Sequence, residues 1–210
     1  DLGLCDELSK AVADLGYESP TPIQEKSIPI VLMGRDILGS AQTGTGKTAS
    51  FTLPMIEILA SGRAKARLPR SLILAPTREL AAQVAESFEK FSTYHKLTMA
   101  LLIGGVSFAD QNAALDKGVD VLIATPGRLM HHQVEAGFSL QRVEMIVFDE
   151  CDRLFELGFQ EQLNTIMGGC PPSRQALLFS ATLPQELVAF SKAGLHDPEF
   201  IRLDVEHCLS

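Results

Sequence analysis

The sequence predicts a doubly wound α/β domain, with a mostly parallel central sheet of about seven strands and helices on both faces. Three observations carry that prediction. Apolar β-type runs alternate with helical segments along the whole chain, the order from which a parallel sheet with crossover helices is built. Several runs are continuous rather than alternating, as in Leu101-Leu102-Ile103 and Val119 to Ala124, which suits strands buried on both faces. Residues with chemical potential follow strand after strand, and ligands in open α/β sheets bind beyond the carboxyl ends of the strands.

The elements follow in order. Helical patterns cover residues 4–15 and 22–33, then a first strand covers 36–39 and a helix 49–60. Strand 71–75 leads to helix 79–94, strand 98–103 to helix 108–117, and strand 120–124 to helix 127–135. After strand 145–148 come helix 159–167, strand 175–179, helix 185–193 and a last strand at 200–203. No repeat or low-complexity tract interrupts this order, so residues 1–210 are expected to form one domain. Residues 61–70 carry Arg63, Lys65, Arg67 and Arg70 and read as a mobile, solvated loop, with a contact to a partner or RNA as the alternative. The opening Asp1-Leu2-Gly3-Leu4 reads as the start of a helix inside a trimmed sequence, not as a leader.

Composition narrows the function. A 46% hydrophobic and 21% charged chain belongs with folded globular proteins, and no apolar run approaches the ~20 residues of a membrane span. Cys5, Cys151, Cys170 and Cys208 are scattered with no C-x-x-C pair, which speaks against a disulfide framework or a zinc site and for a reducing cytosolic or nuclear compartment. His131-His132 reads as a solvated surface pair rather than a metal site, because adjacent histidines point in different directions and cannot converge on one ion. The net charge of −8 is unexpected for a nucleic-acid partner, so any such site must be a local patch of backbone amides and a few arginines.

The most specific run is Ala41-Gln42-Thr43-Gly44-Thr45-Gly46-Lys47-Thr48, between the strand-like Asp36-Ile37-Leu38-Gly39-Ser40 and a helix opening at Ala49. Gly44 and Gly46 let the backbone turn tightly, so that successive N–H groups point at phosphate oxygens. The helix N-terminus adds partial positive charge. In this pattern Lys47 reaches the β- and γ-phosphates and the Thr48 hydroxyl ligates Mg²⁺. Asp149-Glu150 ends the apolar run Met145-Ile146-Val147-Phe148. There Asp149 is placed to hold Mg²⁺ opposite Thr48, and Glu150 to orient and deprotonate the water that attacks the γ-phosphate. An acidic pair alone is often a surface turn; with the phosphate loop it becomes specific.

Together the motifs resemble the N-terminal RecA-like domain of DEAD-box ATP-dependent RNA helicases over essentially the whole chain. Gly16-Tyr17-Glu18-Ser19-Pro20-Thr21-Pro22-Ile23-Gln24 is similar to that family's Q motif, over residues 16–24, which implies that Gln24 reads adenine and that Tyr17 packs near the base. Residues 41–48 resemble motif I, Pro76-Thr77-Arg78-Glu79-Leu80 motif Ia, Gly104-Gly105 the GG motif, and Thr125-Pro126-Gly127-Arg128 motif Ib. Asp149-Glu150-Cys151-Asp152 resembles motif II and Ser180-Ala181-Thr182 motif III. The resemblance implies an ATP/ADP site formed by Tyr17, Gln24, Gln42, Thr43, Gly44, Thr45, Gly46, Lys47, Thr48 and Ala49. It implies catalytic roles for Lys47, Asp149, Glu150, Ser180 and Thr182, the last two bonding the motif II acids and relaying nucleotide state. It also implies that Pro76, Thr77, Arg78, Gly104, Gly105, Thr125, Gly127 and Arg128 contact the sugar–phosphate backbone of single-stranded RNA, independently of sequence.

The chain departs from the pattern in places. Cys151 stands where the family has Ala; Cys is small and readily buried, so little change is expected. The family's aromatic upstream of the Q motif falls before residue 1. Residues up to about Gly127 resemble bacterial members and those from about Arg128 a eukaryotic nucleolar branch, as in a chimeric or engineered sequence or a lineage diverged from both. The compartment is accordingly expected to be cytoplasmic or nucleolar. Residues 1–210 hold one RecA-like domain, whereas the family closes its site with a second that supplies arginine fingers. Such a finger contributes on the order of 10³–10⁵ in rate in related phosphoryl transfer. Residues 1–210 alone are therefore expected to be monomeric, to bind nucleotide weakly and to hydrolyse ATP barely, without unwinding.

Overall fold

A computed structural model describes residues 3–17, 19–41 and 46–202. Helices α1 (Asp6–Asp14) and α2 (Pro22–Leu32) precede strand β1 (Ile37–Ser40) and helix α3 (Lys47–Leu59). Then follow β2 (Ser71–Leu74), α4 (Arg78–Phe91), β3 (Met99–Leu102), α5 (Phe108–Lys117), β4 (Val121–Ala124) and α6 (Pro126–Ala136). The chain continues through β5 (Met145–Phe148), α7 (Cys151–Glu156), α8 (Gln160–Gly169), β6 (Gln175–Ser180), α9 (Gln185–Gly194) and β7 (Glu199–Arg202). The expected strands are present with ends shifted by at most one residue; α7, directly after the acidic pair, is a separate element with no pattern of its own in the sequence.

All seven strands lie in one sheet in the order β3-β4-β2-β5-β6-β1-β7. Every pairing is parallel, so the expected mostly parallel sheet is wholly so among the described residues. The registers align the carboxyl ends: Ser40 opposes Ser180, Phe148 opposes Leu178 and Leu74, and Ala124 opposes Leu74 and Leu102. Loops leaving those ends emerge at one level along one rim.

Strand side chains alternate between two cores because successive Cβ atoms point to opposite faces. Ile73, Val147, Leu177 and Phe179 face one layer with Leu8, Ile23, Phe51 and Phe88 from the first four helices. Leu72, Ile146, Phe148 and Leu178 face the other, with Leu129, Leu154, Leu163 and Leu187 from α6 to α9. Each such side chain, buried fully, contributes about 1.5–3 kcal/mol. Gly39 in β1 is required by this packing, since a Cβ there would lie 2.8 Å from the Phe179 ring.

Two surface readings are corrected. His132 is fully buried, stacked on Phe108 with ring centroids 3.9 Å apart; only His131 faces solvent. The helix around them turns one ring inward because residues one apart cannot share a face. Within residues 61–70, Arg63 and Lys65 are exposed as expected, but Arg67 and Arg70 tie the segment to the domain. Arg70 donates to the carbonyls of Leu59 and Ser61 and pairs with Asp120 and Glu144. Arg67 bonds the Ala136 carbonyl and pairs with Asp116 at 2.7 Å.

Candidate nucleotide and nucleic-acid site

The strand order sorts the motifs into two groups along the rim. Strands β5, β6 and β1 are neighbours, so motifs II, III and I leave the sheet side by side; β3, β4 and β2 bring the GG loop, motif Ib and motif Ia together.

In the first group, α3 begins at Lys47 behind Gly46, whose φ of +81° requires the left-handed region. A Cβ at Gly46 would come within 2.8 Å of Thr21 Oγ1 and 2.7 Å of Gln24 Nε2, so only glycine fits. Thr21 and Gln24 meet it there because they form a capping box at the start of α2: Gln24 N–H donates to Thr21 Oγ1, and Thr21 N–H donates to Gln24 Oε1 at 3.1 Å. The other end of the Gln24 carboxamide donates from Nε2 to the Gly46 carbonyl at 3.1 Å. Both ends of Gln24 are thus engaged within the protein. Gln42, Thr43, Gly44 and Thr45 lie outside the described residues.

Lys47 Nζ lies 2.8 Å from Asp149 Oδ1 and 3.9 Å from Glu150 Oε2, with the lysine and Asp149 side chains almost wholly buried. Burial raises the Glu150 carboxyl above the ordinary carboxylate range, aided by Asp149 and Asp152, while Lys47 pulls the other way. Its backbone sits in the left-handed region at φ 49°, unusual for a side-chain-bearing residue and of the kind found at functional sites. Thr48, Lys47, Asp149 and Glu150 line one end of a cavity of about 760 Å³; Tyr17 and Gln24 line the same cavity. A recess of about 170 Å³ adjoins Lys47 and Glu150 beside Ala41, Asp152, Arg153 and Ala181. Thr48 and Asp149 offer a hydroxyl and a buried carboxylate already facing a cation, hard oxygen donors that fit Mg²⁺.

Ser180 and Thr182 meet motif II through Asp152 in particular. Ser180 Oγ accepts from the Asp152 N–H at 3.1 Å and donates to the Thr182 carbonyl. Thr182 donates to Asp152 Oδ2 from both its N–H and its hydroxyl, at 3.1 and 2.9 Å. Ala41 N–H donates to the Ser180 carbonyl, joining motif III to the start of motif I. Cys151 is fully buried, and burial together with Asp152 and Asp149 pushes its thiol far above the usual range.

In the second group, Thr77 caps α4 by accepting from Leu80 N–H, and Pro76 is buried under the turn, leaving Arg78 exposed. Arg78 Nη1 donates to the Gly104 carbonyl at 3.4 Å. Gly105, at φ +83°, leaves room for that guanidinium, which a Cβ would meet at 2.8 Å. Thr125 is the N-cap of α6 with its hydroxyl not used as the cap, Gly127 is exposed, and Arg128 is half-buried. Arg128 is held by Gln111 and by the Val106 carbonyl, contacts that motif spacing did not reveal because Gln111 belongs to none of the recognised runs. Elsewhere Cys5 Sγ lies 3.7 Å from His95 Nε2 beside Glu7, a grouping across 90 positions that cysteine spacing could not disclose.

A family model described as DEAD/DEAH box helicase matches residues 21–190, most of the chain and every motif from Thr21 to Thr182. The chain belongs to the DEAD/DEAH box helicase family. Among relatives of this helicase-family chain, the ATP-dependent RNA helicase DBP10 of Yarrowia lipolytica is 52% identical over 205 residues, 98% of this chain and 22% of that protein. The dbp10 protein of Schizosaccharomyces pombe is 50% identical over 100% of this chain and 24% of its own. The chain therefore spans about a fifth to a quarter of these relatives. Both alignments run across the Gly127–Arg128 boundary. The crystal structure of a DEAD box protein from Methanococcus jannaschii superposes with a TM-score of 0.90 at 34% identity, over 99% of this chain and 56% of that one. The RecA-like fold expected from the motifs is the fold observed. Among the described residues, no helix is long and apolar enough to cross a membrane.

Proposed function

We propose that residues 1–210 are the ATP-binding domain of an ATP-dependent RNA helicase, the activity for which the DBP10 relatives are named. The observation that carries this reading is the buried Lys47–Asp149 pair with Glu150 beside it, lining a cavity that Gln24 and Tyr17 also line. A purine nucleotide fits such a cavity, with its base near Gln24 and Tyr17 and its phosphates over Gly46, Lys47 and Thr48. Lys47 exchanges its carboxylate partners for the β- and γ-phosphates, and Gln24 exchanges the Gly46 carbonyl for the adenine edge. Glu150, whose affinity for protons is raised by burial, takes a proton from the attacking water. Mg²⁺, held by Thr48 and Asp149, supplies charge neutralisation at the phosphate oxygens when bound. Asp152, Ser180 and Thr182 join that chemistry to the rim where a second RecA-like domain docks in the longer protein.

Arg78, Arg128, the Gly104-Gly105 turn, Thr77 and Thr125 hold the RNA backbone, with Pro76 and Gly127 shaping the turns. Small residues admit phosphates closely and the arginines supply charge, so binding is independent of base sequence and falls steeply with salt. Residues 1–210 by themselves act as a monomer that binds ATP or ADP weakly and hydrolyses ATP barely. The cytosol or the nucleus, both reducing, suits the free thiols of Cys5, Cys151 and Cys170.

Titration with a fluorescent adenine nucleotide, competed by ATP and GTP, tests the reading. Lys47→Ala abolishes binding of both, whereas Gln24→Ala removes only the preference for adenine; equal competition by GTP in the unsubstituted chain refutes the assignment. A docking module with an idle nucleotide site is the second reading, and it leaves the environment of Glu150 without a purpose. RNA-stimulated hydrolysis in the longer protein, lost in Glu150→Gln, separates the two, and competition between RNA and DNA there fixes the nucleic acid.

A further inference from the structure

Gln111 is polar and only 4% exposed, on α5, between the two halves of the nucleic-acid rim. Its Nε2 donates to the carbonyls of Leu101 at 3.2 Å and Ile103 at 3.0 Å, immediately ahead of the Gly104-Gly105 turn. Its Oε1 accepts from Arg128 Nε at 3.0 Å and lies 2.5 Å from His132 Nε2. Two carbonyls facing the nitrogen end fix the orientation of the carboxamide, so the oxygen end must be the acceptor and His132 must carry its proton on Nε2. All four hydrogen-bonding positions of the carboxamide are thereby filled.

Arg128 receives two further restraints: its Nη2 donates to the Val106 carbonyl at 2.8 Å, and the guanidinium carbon lies 5.2 Å from the Phe108 ring centre. Among the described residues, two of its five N–H groups are used inside the protein, and the outward Nη hydrogens can meet a phosphate. Gln111 is the one side chain among these that bonds both the strand end feeding the glycine turn and the arginine of motif Ib.

We infer that Gln111 is a positioning residue for RNA: one buried carboxamide sets the spacing between the Gly104-Gly105 turn and Arg128, so that both meet the same backbone. The inference rests on the RNA reading above. An arginine already immobilised loses little side-chain freedom on binding, and removing its support returns that cost to the association step.

The test is a double-mutant cycle on the 210-residue chain, with a fluorescent oligouridylate as the RNA probe at low salt and a fluorescent ADP titration as the control for folding. Gln111→Met weakens RNA binding about three- to tenfold, the range for re-immobilising one rotamer-rich side chain, with ADP affinity unchanged. Arg128→Ala weakens it at least as much, and the double variant binds no more weakly than Arg128→Ala alone, because Gln111 acts through Arg128. Unchanged RNA affinity in Gln111→Met, or losses that add in the double variant, overturns the inference while leaving the RNA reading standing. Unchanged affinity in Arg128→Ala removes the RNA reading of this loop and the inference with it. Should Gln111→Met lose ADP binding as well, Gln111→Asn carries the same cycle, since it keeps a carboxamide but cannot span both partners.

Discussion

Single residues at this site are fixed by contacts that leave little latitude. Gly46 is the clearest, with φ +81° and with Thr21 and Gln24 packed where a Cβ would stand. Gly46→Ala is expected to cost about 1–2 kcal/mol from the backbone conformation alone. A lower urea midpoint together with loss of adenine-nucleotide binding checks this. His132 gives a prediction in pH. Burial, helped by Arg128 and His131, depresses its pKa from 6.5 to about 4. The unfolded chain therefore binds a proton there that the folded chain refuses between about pH 6.5 and 4. This contribution to stability is whole above that window and is lost as pH falls through it. Thermal melts should show a smaller loss between pH 7 and 5 in His132→Gln than in the unsubstituted chain; equal losses would assign the acid sensitivity to other groups. The sequence could name Gly46 from its motif. It could not show His132 buried, because a pair of adjacent histidines looks the same whichever ring turns inward.

Elements are joined by a few polar anchors as well as by the two apolar layers. Arg70, just ahead of β2, links the end of α3, the start of β4 and the approach to β5 through Leu59, Asp120 and Glu144. Asp120 is 5% exposed and keeps its bonds to Thr98, so Arg70→Leu leaves a largely buried carboxylate short of its cation. A loss of about 3 kcal/mol is expected from breaking a mostly buried pair, read from denaturant unfolding. Strands and most helices were legible because continuous apolar runs and turn residues mark them locally. Helix α7 was not, since its six residues follow the acidic pair without a pattern long enough to show a period. The anchoring of residues 61–70 was equally hidden, because arginine-rich segments look solvated until their distant carboxylate and carbonyl partners are placed.

At the scale of the molecule, the sheet decides how chemistry is shared. Cys151, next to Asp149 and Glu150 in the chain, has no exposure, and its thiol is held protonated by burial. Thiol labelling of Cys151 under native conditions should therefore proceed only as fast as the domain opens; rapid labelling would contradict the packing around β5 and α7. The sequence by itself determined the fold class, the Ala41–Thr48 and Asp149-Glu150 motifs and the family, because each is written in contiguous residues. Tertiary structure alone decided which motifs face one another. Along the chain they run I, Ia, GG, Ib, II, III, yet the order β3-β4-β2-β5-β6-β1-β7 groups I, II and III on one stretch of rim and Ia, GG and Ib on the other. It also decided that Gln111 joins the glycine turn to Arg128, and that Lys47 rests on Asp149 and Glu150. Strand order is a choice among long-range pairings that local propensity does not encode, and only the packed sheet settles it.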